Sequence, residues 1–270
     1  MSTMKQPKIG FIGQGWIGKH YADDFEKRGY QIVRYALEPE YLDNKQLIAT
    51  CDIVFIAVPT PTTIKGFVDA HVRDALQSVG QGKIAVIKST LAVGTTKALQ
   101  TDYPDITILH SPEFLRERTA AYDAAYPNRN LLGIPIDNPD TLAKAKQVLE
   151  ILPEAPYAKI MDSNDAELVK YAGNCFLYLK VLYMNALFNV VENTGATWET
   201  VREALVHDPR IGASHTEPVH TSGHVNDTGL KQRGAGGHCF IKDFEAFRHM
   251  YNEHVKEKRG RDFLSADFVV

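Results

Sequence analysis

The strongest constraint on the fold lies near the N-terminus, where the apolar run Lys8–Ile12 enters Gly13-Gln14-Gly15-Trp16-Ile17-Gly18 and an amphipathic segment follows. A strand, a glycine turn and a helix in that order form the context of a dinucleotide-binding fingerprint. Gly13 permits the tight turn, Gly15 lets backbone reach a pyrophosphate, and Gly18 lets the helix pack on the strand. The helix start at Trp16 and Ile17 then offers free N–H groups and a positive end to an anion. The alternative is a glycine-rich turn without a ligand.

The pattern continues. Short apolar runs alternate with amphipathic ones to about Ile160, with strands predicted at Lys8–Ile12, Gln31–Tyr35, Asp52–Val58, Lys83–Ile87, Ile106–His110 and Asn130–Ile134. This is the signature of an α/β fold with a largely parallel sheet. The run from Asp52 to Val58 is almost continuously apolar, as a strand covered on both faces requires. A possible last short strand follows Pro156. Helical periodicity then runs without proline from about Asp165 to Asn193, with further helices predicted at Trp198–Val206 and Lys242–Lys256. The expected architecture is a Rossmann-type parallel sheet over residues 1–160 and an all-helical domain with one long spine helix over 161–270. Residues 213–232, with His215, His220 and His224, read as an exposed loop. Residues 256–261 read as a charged stop before a short apolar end.

Composition narrows the function classes. A chain of 270 residues with 44% hydrophobic and 23% charged residues can build a packed core without staples. Three separated cysteines, Cys51, Cys175 and Cys239, suggest neither a disulfide framework nor a zinc site, and a reducing, cytoplasmic setting is expected. No uninterrupted apolar stretch approaches the roughly 20 residues of a membrane helix. A net charge of −3 argues against a nucleic-acid surface. The three histidines of the loop lack cysteine or carboxylate partners at ligand spacing, so no metal is expected.

Two local readings stay open on residues alone. The position that normally supplies an acid to the adenosine ribose is Ala36, with Glu38 the nearest carboxylate; Arg34 leaves room for a 2′-phosphate, although NAD is the expected cofactor. Gly234-Ala235-Gly236-Gly237-His238-Cys239 puts a cysteine on a glycine-flanked turn just ahead of an amphipathic run. Such a site favours thiolate and suits a nucleophile, but it also suits a small buried cysteine.

Further segments carry a resemblance. They are residues 55–62, Lys88-Ser89-Thr90 with the stretch to Thr95, Ser111-Pro112-Glu113-Phe114-Leu115-Arg116-Glu117, residues 167–174 with Lys170 and Asn174, Asp208-Pro209-Arg210-Ile211-Gly212, and the cysteine loop. In order and approximate spacing this set resembles the UDP-glucose/GDP-mannose 6-dehydrogenase family from residue 8 to about 250.

The resemblance implies oxidation of the C6 alcohol of a nucleotide sugar, a UDP-sugar favoured, to a carboxylate with two NAD. Cys239 would attack the intermediate aldehyde, Lys170 and Asn174 would hold the oxyanion, and Glu113 would be the base for thioester hydrolysis, with Asp243 and Thr90 positioning water or lysine. Val58, Pro59, Thr60, Ser89, Thr90, Glu117 and Lys242 fall to the cofactor side. Glu113 to Arg116, Gly236 and Arg210 fall to the substrate side. Arg210 would reach into a partner's site, which implies a homodimer built on the long helix. The competing expectations are a two-electron hydroxyacid dehydrogenase, which does not need the cysteine, and a non-catalytic binding module. Departures are His238 before the cysteine, Ile241 at a usual proline, a longer 213–232 connection, and a length below that of family members, which carry a third, nucleotide-gripping domain. A partner that supplies that domain is a further expectation.

Overall fold

The computed structural model describes residues 6–63, 66–220, 232–235 and 238–265; side chains at 62, 63, 117, 220, 232, 238 and 239 lie outside the description. The chain divides into two compact units, Met1–Lys170 and Tyr171–Val270.

In the first unit the elements run β1 (Ile9–Ile12), α1 (Trp16–Lys27), β2 (Ile32–Tyr35), α2 (Pro39–Leu42), α3 (Lys45–Ile48), β3 (Ile53–Ile56), the hairpin β4 (Thr62–Thr63) and β5 (Gly66–Phe67), α4 (Ala70–Leu76), β6 (Ile84–Ile87), α5 (Thr95–Asp102), β7 (Thr107–His110), α6 (Ala120–Ala125), β8 (Arg129–Ile134), α7 (Pro139–Ile151) and β9 (Tyr157–Asp162). Seven strands form one sheet in the order β2-β1-β3-β6-β7-β8-β9. All neighbours are parallel except β7 and β8, which meet antiparallel with His110 opposite Gly133.

The apolar runs of β1, β3 and β6 are buried at every residue, so the sheet is covered on both faces. On one face Phe11 stacks on Phe55 at 5.3 Å, with Phe25 of α1 against both. On the other, Ile12, Val54 and Ile56 pack on Val72, Leu76 and Leu99. Five of the six predicted strands are shorter than their apolar runs, while β8 starts one residue earlier, at Arg129. β3 stops at Ile56, since the chain beyond leaves the sheet to form the loop that faces the glycine turn.

β9 passes directly into α8 (Ser163–Thr194), 32 residues that span about 48 Å. Its 18-residue window of highest mean hydropathy, 1.3, meets the length and composition of a bilayer span, which the continuous-run criterion missed; a third of that window is buried. Core packing accounts for part of this apolar character. In the second unit Cys175, Tyr178 and Leu179 of α8 pack with Phe244 and Phe247 of α10 (His238–His254) and Leu264 of α11 (Lys258–Ser265). Met184, Phe188 and Val191 pack with Trp198 of α9 (Trp198–Val206).

Three expectations change in this unit. The third helix starts at His238, four residues before the predicted Lys242, which puts Cys239 in its first turn. The charged stop is part of α11, because Leu264 gives that segment an apolar anchor. Part of the supposed exposed loop is packed: Thr216 is fully buried and donates to the Ala213 carbonyl at 2.8 Å, His215 lies against Phe240, and β10 (Val219–His220) pairs with β11 (Gln232–Arg233). Residues 221–231, including His224, lie outside the described residues.

Candidate active site

The glycine turn has the geometry its spacing requires. Gly13 has φ +90°, and a Cβ there would stand 2.2 Å from the Ala57 carbonyl oxygen. A Cβ on Gly18 would stand 1.9 Å from the Gly13 carbonyl oxygen, whereas one on Gly15 meets no protein atom within 4 Å. The first and third glycines therefore serve the fold, and the second keeps a cradle clear for a ligand. Gly15 is also the N-cap of α1 and brings no side chain to its open amides, while Trp16 is half exposed and Ile17 half-buried. These residues fit a dinucleotide pyrophosphate.

The loops beyond β3 and β6 form the adjoining wall. Ser89 Oγ accepts from Val58 N at 2.9 Å and donates to the Val58 carbonyl at 2.7 Å. Thr60 Oγ1 donates to the Thr90 carbonyl at 2.8 Å, which fixes the chain on either side of Pro59. At the ribose end Ala36 is buried and Glu38 caps α2 from an exposed position. Arg34 is committed elsewhere, with Asp23 at 2.8 Å, Glu26 at 2.9 Å and Gln14 Oε1 at 3.2 Å. Two carboxylates already pair with it, so a 2′-phosphate would have to displace them.

Glu113 follows β7 and is 5% exposed. Its Oε1 accepts from the amides of Phe114, at 2.5 Å, and Leu115, while Oε2 accepts no hydrogen bond among the described residues. Lys170 Nζ donates to the Glu113 main-chain carbonyl at 2.5 Å. Lys88 Nζ stands 3.6 Å from Glu113 Oε2 and 3.2 Å from Ser111 Oγ, above the Tyr21 ring at 4.1 Å. Burial lowers the Lys88 pKa against the opposing pull of Glu113. Burial, then the adjacent Glu113 carboxylate, raises the Tyr21 phenol well above its ordinary value. His110 is fully buried, donates from Nδ1 to the Ile87 carbonyl at 3.0 Å, and is pushed down to about 3 by burial, so it is neutral.

The segment after Glu113 is braced. Asp123 accepts from Arg116 N, Nε and Nη2 and from Thr119 Oγ1, and these bonds, the Arg116 side chain first, hold its carboxyl down at about 2. Arg129 lies over the Phe114 ring at 3.8 Å. A cavity of about 300 Å³ opens between Lys88, Glu113, Leu115, Arg116, Asp123 and Arg129. The Glu117 side chain lies outside the described residues.

In the second unit Asn174 Nδ2 donates to Asp243 Oδ2 at 2.6 Å. Asp243 is 1% exposed, and its Oδ1 has Lys242 Nζ at 3.3 Å but no hydrogen bond among the described residues. Cys175 Sγ sits 3.7 Å from the Asp243 carbonyl, and burial with the Asp243 charge pushes its thiol up to about 12. Cys51 is likewise buried and raised. Burial holds both as thiols, and Cys239 occupies the start of α10. The Cys239 side chain and Gly236 lie outside the described residues. Arg210 is exposed and chelates Asp208 through Nε and Nη2 at 3.0 and 2.6 Å.

Arg129 and Asp123 carry no role in the sequence reading, nor do Lys88 and Glu167 beyond their place in the family segments. Lys88 had a legible signal, a lysine at the end of a fully apolar strand. Glu167 had none: it is fully buried and accepts from Gly94 N at 2.6 Å and from Thr96 N and Oγ1 at 2.8 and 2.6 Å, a pairing across more than 70 residues.

Residues 40–152 match the NAD binding domain of the UDP-glucose/GDP-mannose dehydrogenase family, and 164–261 match its central domain. The chain is 32% identical to UDP-glucose 6-dehydrogenase TuaD of Bacillus subtilis over 76% of its own length and 43% of that protein. It is 31% identical to the UDP-glucose 6-dehydrogenase of Rhizobium meliloti over 78% and 48%. The chain thus spans about half the length of these curated relatives. Among solved structures it resembles a UDP-glucose dehydrogenase from Pyrobaculum islandicum with TM-score 0.77 and 24% identity, covering 94% of this chain and 66% of that one. It also shares its fold with a Mycobacterium tuberculosis 3-hydroxyisobutyrate dehydrogenase, with TM-score 0.71 and 17% identity over 96% and 93%.

Proposed function

The chain belongs to the UDP-glucose/GDP-mannose dehydrogenase family, and from that premise we propose that it oxidises the C6 alcohol of a UDP-sugar to the uronic acid through Cys239. The observation that carries the reading is the lysine-bracketed Glu113: a buried carboxylate with one oxygen fixed by two amides and the other without a hydrogen bond among the described residues.

NAD, held at the Gly13–Gly18 turn, supplies hydride acceptance for both oxidations. The remaining work falls to side chains. Lys170 and Asn174, one helical turn apart on α8, stabilise negative charge on the substrate oxygen. The Cys239 sulfur adds to the aldehyde and becomes the thioester sulfur after the second oxidation. Glu113 Oε2 takes a proton from the water that cleaves the thioester, and Asp243 orients Asn174. Glu113 to Arg116 line the sugar-nucleotide side, and Thr90, Glu117 and Lys242 the cofactor side. In this reading residues 1–160 are the cofactor domain and 161–270 the helical domain.

A homodimer belongs to the proposal. Phe176, Tyr183 and Val190 are exposed at seven-residue spacing along α8, an apolar stripe suited to a second copy of the helix. Arg210 would serve the partner's site after exchanging Asp208 for substrate phosphate. A partner that supplies what longer relatives carry beyond this span, and a cytoplasmic setting, complete the reading.

The test is to incubate the purified chain with NAD and a panel of UDP- and GDP-sugars, following NADH formed per sugar consumed. Two NADH per sugar, with Cys239→Ser losing the second oxidation, is the expected result. One NADH that is insensitive to Cys239 would point to a two-electron alcohol dehydrogenase, and NAD binding without turnover to a non-catalytic module.

A further inference from the structure

We infer that Lys88 is a positioning residue for thioester hydrolysis, acting through Glu113; this rests on the function proposed above. A carboxylate that serves as a base in a buried site must remain ionised there, and an ionised carboxylate is costly to bury without a counter-charge. The two amides of Phe114 and Leu115 occupy Oε1. Lys170 is spent on the peptide carbonyl rather than the carboxylate. Among the described residues the cation paired with Oε2 is Lys88, and its separation of 3.6 Å is the informative quantity.

At that distance the ammonium attracts the carboxylate without hydrogen-bonding it. Ser111 accounts for the offset, since its Oγ takes the ammonium at 3.2 Å and its carbonyl stands at 3.5 Å, while the Tyr21 ring supports the cation from below. Glu113 thus has its charge compensated and lines the adjoining cavity, and its buried Oε2, without a hydrogen bond among the described residues, keeps its lone pairs for a water admitted there during turnover. The other groups around it do not replace Lys88. Tyr21 of α1 stands beside the Glu113 carboxylate but is a neutral phenol that supplies no counter-charge, Arg116 is bound to Asp123, His110 of β7 is neutral, and Arg129 of β8 lies on the Phe114 ring.

In the hydrolytic step a water oxygen bonds to the acyl carbon, Glu113 accepts the water proton, the carbon–sulfur bond breaks, and Cys239 leaves as thiolate. Loss of Lys88 should slow this step and spare the oxidations before it.

Lys88→Met, Lys88→Gln and Lys88→Arg are compared with wild type by rapid-mixing measurement of NADH and by intact-mass analysis of the enzyme during turnover. The neutral variants should form their first NADH within about threefold of the wild-type rate and lose about 100-fold in steady-state turnover, the low end for a general base. An acyl adduct should accumulate on the protein and be absent when Cys239 is also replaced, and Lys88→Arg should restore most of the turnover. Thermal midpoints and NAD affinity identify any variant that fails to fold, in which case Lys88→Gln decides. Uniform slowing of both phases, no adduct, or no rescue by arginine would overturn the role of Lys88 while leaving the dehydrogenase reading intact. A wild-type chain that forms no NADH with any sugar would overturn both.

Discussion

Lys170 Nζ meets Glu113 at its main-chain carbonyl oxygen, 2.5 Å away, and not at its carboxylate. One bond therefore pins the loop after β7 to the start of α8, leaving the carboxylate to other partners. Lys170→Ala should lower turnover by about 100-fold or more, as removal of an oxyanion donor does, and cost about 1 kcal/mol of stability for the lost hydrogen bond. Steady-state NADH formation and thermal melting check the two effects separately.

The three glycines of the turn should separate by role. Gly18→Ala places a Cβ 1.9 Å from a backbone oxygen and should destabilise the first unit strongly, whereas Gly15→Ala meets no protein atom. Gly15→Ala should melt within about 0.5 kcal/mol of wild type yet bind NAD at least about tenfold more weakly. Calorimetric NAD titration beside thermal melting distinguishes the pair; equal NAD affinity in Gly15→Ala would refute the cradle.

Glu167 gives the pH prediction. Burial raises its pKa, against the Thr96 and Gly94 bonds that lower it. The folded state therefore holds the proton more tightly than the unfolded state. Its stabilising contribution is fully present below the unfolded value of about 4.3 and is lost as pH rises through the raised folded value. Glu167→Gln cannot titrate, so its destabilisation relative to wild type should be larger at the acid end of that window than at neutral pH. Urea unfolding of both proteins across pH 4 to 8 measures the difference.

The stripe on α8 predicts association. Tyr183→Glu combined with Phe176→Glu puts charges where two apolar side chains are exposed, so it should abolish a dimer while leaving the monomer's melting temperature nearly unchanged. Sedimentation velocity of wild type and variant reads this directly.

Much of the first unit was legible because its determinants are local. The glycine turn depends on its own steric contacts and the sheet on apolar runs; in the second unit α9 follows a helical pattern whose predicted ends, Trp198 and Val206, are the observed ones. Strand ends were overestimated at Asp52–Val58 because hydropathy cannot mark where a chain leaves the sheet. The early start of α10 was hidden by glycines that read as a turn.

The sequence by itself determined the α/β class, the long helix and the chemical types gathered near its key motifs, since these follow from side-chain periodicity and glycine sterics. Only the tertiary structure decided that Arg34 is paired with two carboxylates, that Lys88 stands off Glu113 by 3.6 Å, and that Glu167 joins a loop more than 70 residues away. Such pairings arise when packing removes water from charges distant in sequence, and each must then find its partner in three dimensions.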